Sequence, residues 1–139
     1  MKYRKLKGYK YELMEYVRQP VDVPDTPKTM SIGFQYYLYI SNGILVIKKH
    51  YAWDGPSGPT IDTKSFMLGS LVHDALYQLM REGFLDRKYR NYADKLLRQI
   101  CLVNGMSKLR AWYVYQAVKL FGKRTSLPRK NPRGQILEA

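Results

Sequence analysis

The spacing of apolar residues changes period once along this chain, at Pro59, and that change limits the fold more than any other feature. Before Pro59, apolar residues come in short β-favouring runs cut by turn residues. Ser31 to Ile40 is aromatic-rich, with Phe34, Tyr36, Tyr37 and Tyr39. Ser41-Asn42-Gly43 follows, then a second run, Ile44-Leu45-Val46-Ile47-Lys48-Lys49. Asn-Gly between two such runs predicts a hairpin, because both turn residues tolerate the positive φ that the strand twist demands. Tyr9 to Val17 is a further candidate strand, and Pro20, Pro24 and Pro27 predict an extended linker.

After Pro59 the spacing is helical. Phe66, Leu68, Leu71, Val72, Leu76 and Leu79 predict one long helix, closed by Gly83 and Asp86. A second helix is expected from about Arg87 to Leu102, with Tyr89, Ala93, Leu96, Leu97 and Ile100 on one side and Asn104-Gly105 as its stop. A third is expected from about Ser107 to Phe121, with Gly122 as its cap. The prediction is an α+β fold: an N-terminal antiparallel hairpin or small sheet, then three helices, the first two antiparallel because their connection is short. At 139 residues the chain reads as one domain, with a β-rich part (1–50), a helical core (51–122) and a basic tail (123–139).

No apolar run is long enough to span a bilayer. The basic start, Met1-Lys2-Tyr3-Arg4-Lys5-Leu6-Lys7, is not followed by an apolar stretch, so no secretory signal is expected. The lone Cys101 permits no internal disulfide and reads as a small buried apolar residue, which suits a reducing compartment. The formal net charge is +13, and the excess gathers at the ends. Lys2, Arg4, Lys5, Lys7 and Lys10 precede any acid; Lys119, Lys123, Arg124, Arg129, Lys130 and Arg133 run without one until Glu138. Such ends attract polyanions, whether nucleic acid or anionic lipid headgroups.

One group of residues carries chemistry. His73-Asp74 stands in the first helical pattern, and Tyr77 is four residues beyond His73, on the same helix face. Asp94 stands in the second, at a height that reaches back to His73. A carboxylate on one imidazole nitrogen leaves the other to take a proton from water. Asp74 is turned about 100° from His73, toward the entry of the turn-rich loop Trp53-Asp54-Gly55-Pro56-Ser57-Gly58-Pro59. Asp54 and Asp74 offer two hard oxygen ligands, with a loop carbonyl as a third, a set that suits calcium better than zinc.

The order Asp54-Gly55-Pro56-Ser57, His73-Asp74-Ala75-Leu76-Tyr77, Ala93-Asp94 resembles the phospholipase A2 superfamily, above all its prokaryotic and fungal branch. The run from Ala111 to Gly122 is similar to the last helix of actinobacterial secreted phospholipases A2. The same motifs resemble a phage and prophage family of unknown function. The likeness covers about Tyr51 to Gly122.

The resemblance implies His73 as the general base activating water, Asp94 as the group that orients its imidazolium, and Tyr77 as a hydrogen-bond partner of Asp94. It implies Asp74, Asp54 and the Gly55 carbonyl as calcium ligands. Secreted relatives carry disulfides that this chain cannot form, and His50 has no recognised counterpart. The expected function is calcium-dependent hydrolysis of a lipid ester at an anionic phospholipid surface, by a phage-type protein of the host cytoplasm or virion. The alternative is a non-catalytic virion-associated protein that reuses the scaffold to bind nucleic acid or protein. A His-Asp metal phosphohydrolase fits less well, since those folds are all-helical and need a further histidine pair.

Overall fold

The computed structural model describes residues 1–6, 11–30, 36–53 and 64–125. Seven short strands come first: β1 (Tyr3–Lys5), β2 (Tyr11–Leu13), β3 (Val17–Pro20), β4 (Thr29–Met30), β5 (Tyr36–Ser41), β6 (Ile44–Ile47) and β7 (Ala52–Trp53). Three helices follow: α1 (Lys64–Arg81), α2 (Arg90–Val103) and α3 (Lys108–Thr125). A single 3-10 turn, Arg87–Tyr89, leads into α2. The fold is α+β, with the strands N-terminal.

The Asn42-Gly43 turn is where the sequence placed it. Its residues have φ of 51° and 72°, and β5 pairs with β6 so that Ser41 faces Ile44. The β-rich part is more elaborate than one hairpin, because two antiparallel sheets form, β1-β2-β7 and β3-β6-β5-β4. The expected strand over Tyr9 to Val17 is divided between them: Tyr11–Leu13 belongs to the first sheet, and Val17 opens β3 in the second. Pro20, expected in a linker, ends β3 opposite Ile44. A proline is tolerated there because β3 is an edge strand, with no neighbour on its outer side among the described residues to require the missing N–H.

Both sheets pack on α1. Leu13, Leu38, Ile47 and Trp53 share one buried cluster with Leu71, Ala75 and Leu79. Two buried polar contacts set the angle of the β1-β2-β7 sheet on that helix. Tyr51 Oη donates to Gln78 Oε1 at 2.9 Å, and Trp53 Nε1 donates to Ser70 Oγ at 3.2 Å. A second buried cluster, Phe66, Leu97, Cys101, Met106, Ala111 and Val114, joins all three helices.

The helix α1 stops where its backbone turns left-handed at Gly83, φ 79°, whose N–H donates to Met80 O at 3.1 Å. Asp86 then caps the 3-10 turn, its Oδ1 accepting from Lys88 N at 2.8 Å. The reversal lays α2 antiparallel to α1, and Gly69 allows a close approach. A β-carbon at Gly69 would lie 2.8 Å from Leu97 Cδ1 and 2.9 Å from Cys101 Sγ. The third helix runs past its expected end. Gly122, read from the sequence as a cap, is inside α3 and buried.

Candidate functional site

Gly69, His73 and Tyr77 are spaced by four along α1 and so share the face turned to α2. On the facing helix Asp94 is 1% exposed. Antiparallel packing brings these residues to one level. His73 Nε2 is 2.7 Å from Asp94 Oδ1, and Tyr77 Oη donates to the same oxygen at 2.6 Å. The His73 and Tyr77 rings lie with centroids 4.1 Å apart and planes 32° apart. The three residues expected from the sequence to act together are therefore in direct contact.

The proton positions follow from what each group can do. An ionised Asp94 only accepts, so His73 Nε2–H donates to it, and in the neutral imidazole Nδ1 keeps its lone pair. Tyr77 stays protonated through any ordinary pH. Burial raises its pKa most, and the hydrogen bond and charge of Asp94 raise it further. Arg90, one turn before Asp94, pulls it partly back. Asp94 thus holds two donors on Oδ1, while its buried Oδ2 has no hydrogen-bond partner among the described residues. The Asp94 partners that residue spacing also allows, Arg87, Arg90 and Arg98, do not form a salt bridge with it among the described residues.

Asp74 follows His73 on α1 and is partly buried. It lies four residues beyond Ser70, so it shares the helix face that meets Trp53. That contact matters for the expected cation site. Trp53, the last described residue before the loop, is tied through its indole N–H to Ser70, one turn from Asp74. Asp54 and Gly55, the other expected ligands, lie outside the described residues. Among the described residues no three His, Cys, Asp or Glu side chains group as a metal would require.

Two contributors to the site were not read from the sequence. The first is the action of Arg90 on Tyr77: spacing offered Arg90 as a partner of Asp94, and its charge acts on the phenol. The second is Gly122, where α3 crosses Tyr77 so closely that a β-carbon would overlap the phenol oxygen and lie 3.1–3.2 Å from two ring carbons. A glycine inside an apolar helical pattern was the available signal for such an approach. His50 lies apart from this site. Its Nδ1 donates to Glu12 Oε2 at 2.7 Å, while Arg4 Nε donates to Glu12 Oε1 at 2.6 Å.

No protein-family model, curated protein or solved structure matches the chain.

Proposed function

We propose that this protein is a phospholipase A2-like hydrolase of lipid esters. The observation that carries the reading is the chain of hydrogen bonds from His73 and Tyr77 to one oxygen of buried Asp94. A base that must take a proton from water needs a fixed tautomer and a partner for the imidazolium that results. Asp94 supplies both, since it accepts from Nε2–H and carries the opposite charge to the protonated ring. Tyr77 donates to the same carboxylate oxygen and cannot ionise in its place. In this reading His73 Nδ1 takes the proton of the attacking water.

Calcium is part of the same proposal. Asp74, with Asp54 and the Gly55 carbonyl, would hold it; hard oxygen donors are the set calcium selects. When bound, such a cation stabilises the negative charge that develops on the ester oxygen. The basic surface supports an anionic phospholipid bilayer as the place of action. A phage-type protein acting in the host cytoplasm or on the virion agrees with the resemblance of the motifs.

The test is release of fatty acid from vesicles that mix anionic and neutral phospholipid, with and without calcium. Calcium-dependent release that disappears in His73→Ala and falls steeply in Asp74→Asn is the expected result. Tight, salt-sensitive DNA binding with no hydrolysis, unchanged in His73→Ala, would replace this reading with that of a nucleic-acid-binding protein on the same scaffold.

A further inference from the structure

The helix α3 is apolar on two opposite sides. Ala111, Val114, Tyr115 and Gly122 are buried against the rest of the molecule. The outer side carries Leu109, Trp112, Tyr113 and Leu120, which are 78%, 50%, 51% and 74% exposed. Their spacing of three, four and seven gathers them, with exposed Gln116, into an arc about 100° wide. Single exposed apolar residues are ordinary on a protein surface, but a stripe of four along one helix face is a binding feature.

Charge decides what the stripe meets. From Lys108 to Thr125 the helix carries Lys108, Arg110, Lys119, Lys123 and Arg124 and no acidic residue. The whole chain is +13. A second copy of the chain would bring the same cations face to face, so self-association through this surface is opposed. An anionic surface meets them favourably. The residue types point the same way: Trp and Tyr combine an apolar ring with a polar tip, and leucines supply apolar area. Lysine and arginine stems can lie along that apolar area while their charges reach headgroups. Such a helix lies in the plane of an interface and does not cross it. No helix among the described residues is long and apolar enough to span a membrane.

We propose that the outer face of α3 is a docking surface for an anionic bilayer, with Leu109, Trp112, Tyr113 and Leu120 entering at headgroup level. This deepens the lipid-ester reading and rests on it for its biological meaning. It assigns docking to a structured apolar helix face in addition to the basic chain ends. The same helix packs on Tyr77 through Gly122 on its inner face.

The chain contains its own reporter. Trp53 is fully buried, whereas Trp112 is half exposed, so quenching by acrylamide reads Trp112. In the His73→Ala protein, which removes hydrolysis from the experiment, adding phosphatidylglycerol vesicles should shift emission to the blue and protect Trp112 from the quencher. Phosphatidylcholine vesicles should do so much more weakly. Trp112→Phe should remove the signal, and Leu109→Ser with Leu120→Ser should weaken vesicle binding at least roughly tenfold without altering the melting temperature.

Three results would overturn the proposal: vesicle binding with Trp112 still fully quenchable, a blue shift that follows protein concentration without lipid, or protection of Trp112 in lipid-free protein that vanishes when residues 126–139 are removed. Hydrolysis of a short-chain phospholipid below its micelle concentration, measured with His73 intact, reports on the catalytic reading separately. The leucine variants should retain it in full.

Discussion

At Asp94 a single oxygen accepts from His73 and Tyr77 while the carboxylate is 1% exposed. Loss of either donor leaves a buried charge less well satisfied, and a hydrogen bond to a charged group is worth about 1.5–3 kcal/mol. Tyr77→Phe should therefore lower stability by roughly that amount in denaturant melts. It should reduce hydrolysis less than His73→Ala, because the phenol positions the carboxylate and takes no proton. Gly122→Ala is the complementary test. The added methyl must displace Tyr77 or α3, and overpacking of this kind costs about 1–3 kcal/mol. Gly122→Ala combined with Tyr77→Phe should recover part of that loss, since the overlap is with the phenol oxygen. A simple sum of the two single losses would refute a direct steric coupling.

At the level of elements, the N-terminal sheet depends on Glu12. This β2 residue is buried, pairs across to Arg4 on β1, and binds His50 in the turn before β7. Burial alone would raise the Glu12 pKa. The hydrogen bonds and charges of His50 and Arg4 outweigh it and hold the carboxyl below its usual value. A carboxyl lowered in the folded state adds stability that is present above its unfolded pKa and fades as pH falls through the folded one. Acid melts should thus lose stability below about pH 4, and Glu12→Gln should show a flatter acid limb from a lower plateau. The Asn42-Gly43 turn offers a second element-level test. Gly43 has φ of 72°, with Val21 O 3.5 Å from where a β-carbon would stand, so Gly43→Ala should cost about 1 kcal/mol through the backbone conformation alone.

For the whole molecule, the basic C-terminal end should act on partners and leave the fold unaffected, whereas the N-terminal cations, expected to lie outside the folded elements, are partly drawn into β1, where Arg4 pairs with Glu12. Surface charges separated by more than about 8–10 Å are screened at physiological salt, so they contribute little to packing. A chain ending at Thr125 keeps all of α3. It should melt as the full chain does and bind phosphatidylglycerol vesicles more weakly, with the difference closing as salt rises. Calcium acts by mass action on whatever state binds it. Millimolar calcium should raise the melting temperature, and Asp74→Asn should remove the gain; equal melts with calcium and with chelator would argue against the cation site.

How much of this was legible in sequence depended on the range of the forces involved. Local chemistry determined the Asn42-Gly43 turn, the Gly83 stop and three helices within a few residues of their ends, because turn φ values and helical spacing are properties of short segments. The same spacing put His73 and Tyr77 on one face, and the short α1–α2 connection brought Asp94 opposite them. Only tertiary structure decided that Pro20 ends an edge strand, that the strands divide into two sheets, and that Gly122 lies inside a helix. Each of these depends on a partner far away in the chain: Ile44 for Pro20, Trp53 for Tyr11, and Tyr77 for Gly122. The exposed side of α3 was hidden for the same reason. Helical spacing marks the segment as a helix but does not say which side is covered, and only the packing of Ala111, Val114 and Tyr115 showed which of two apolar faces the molecule had already used.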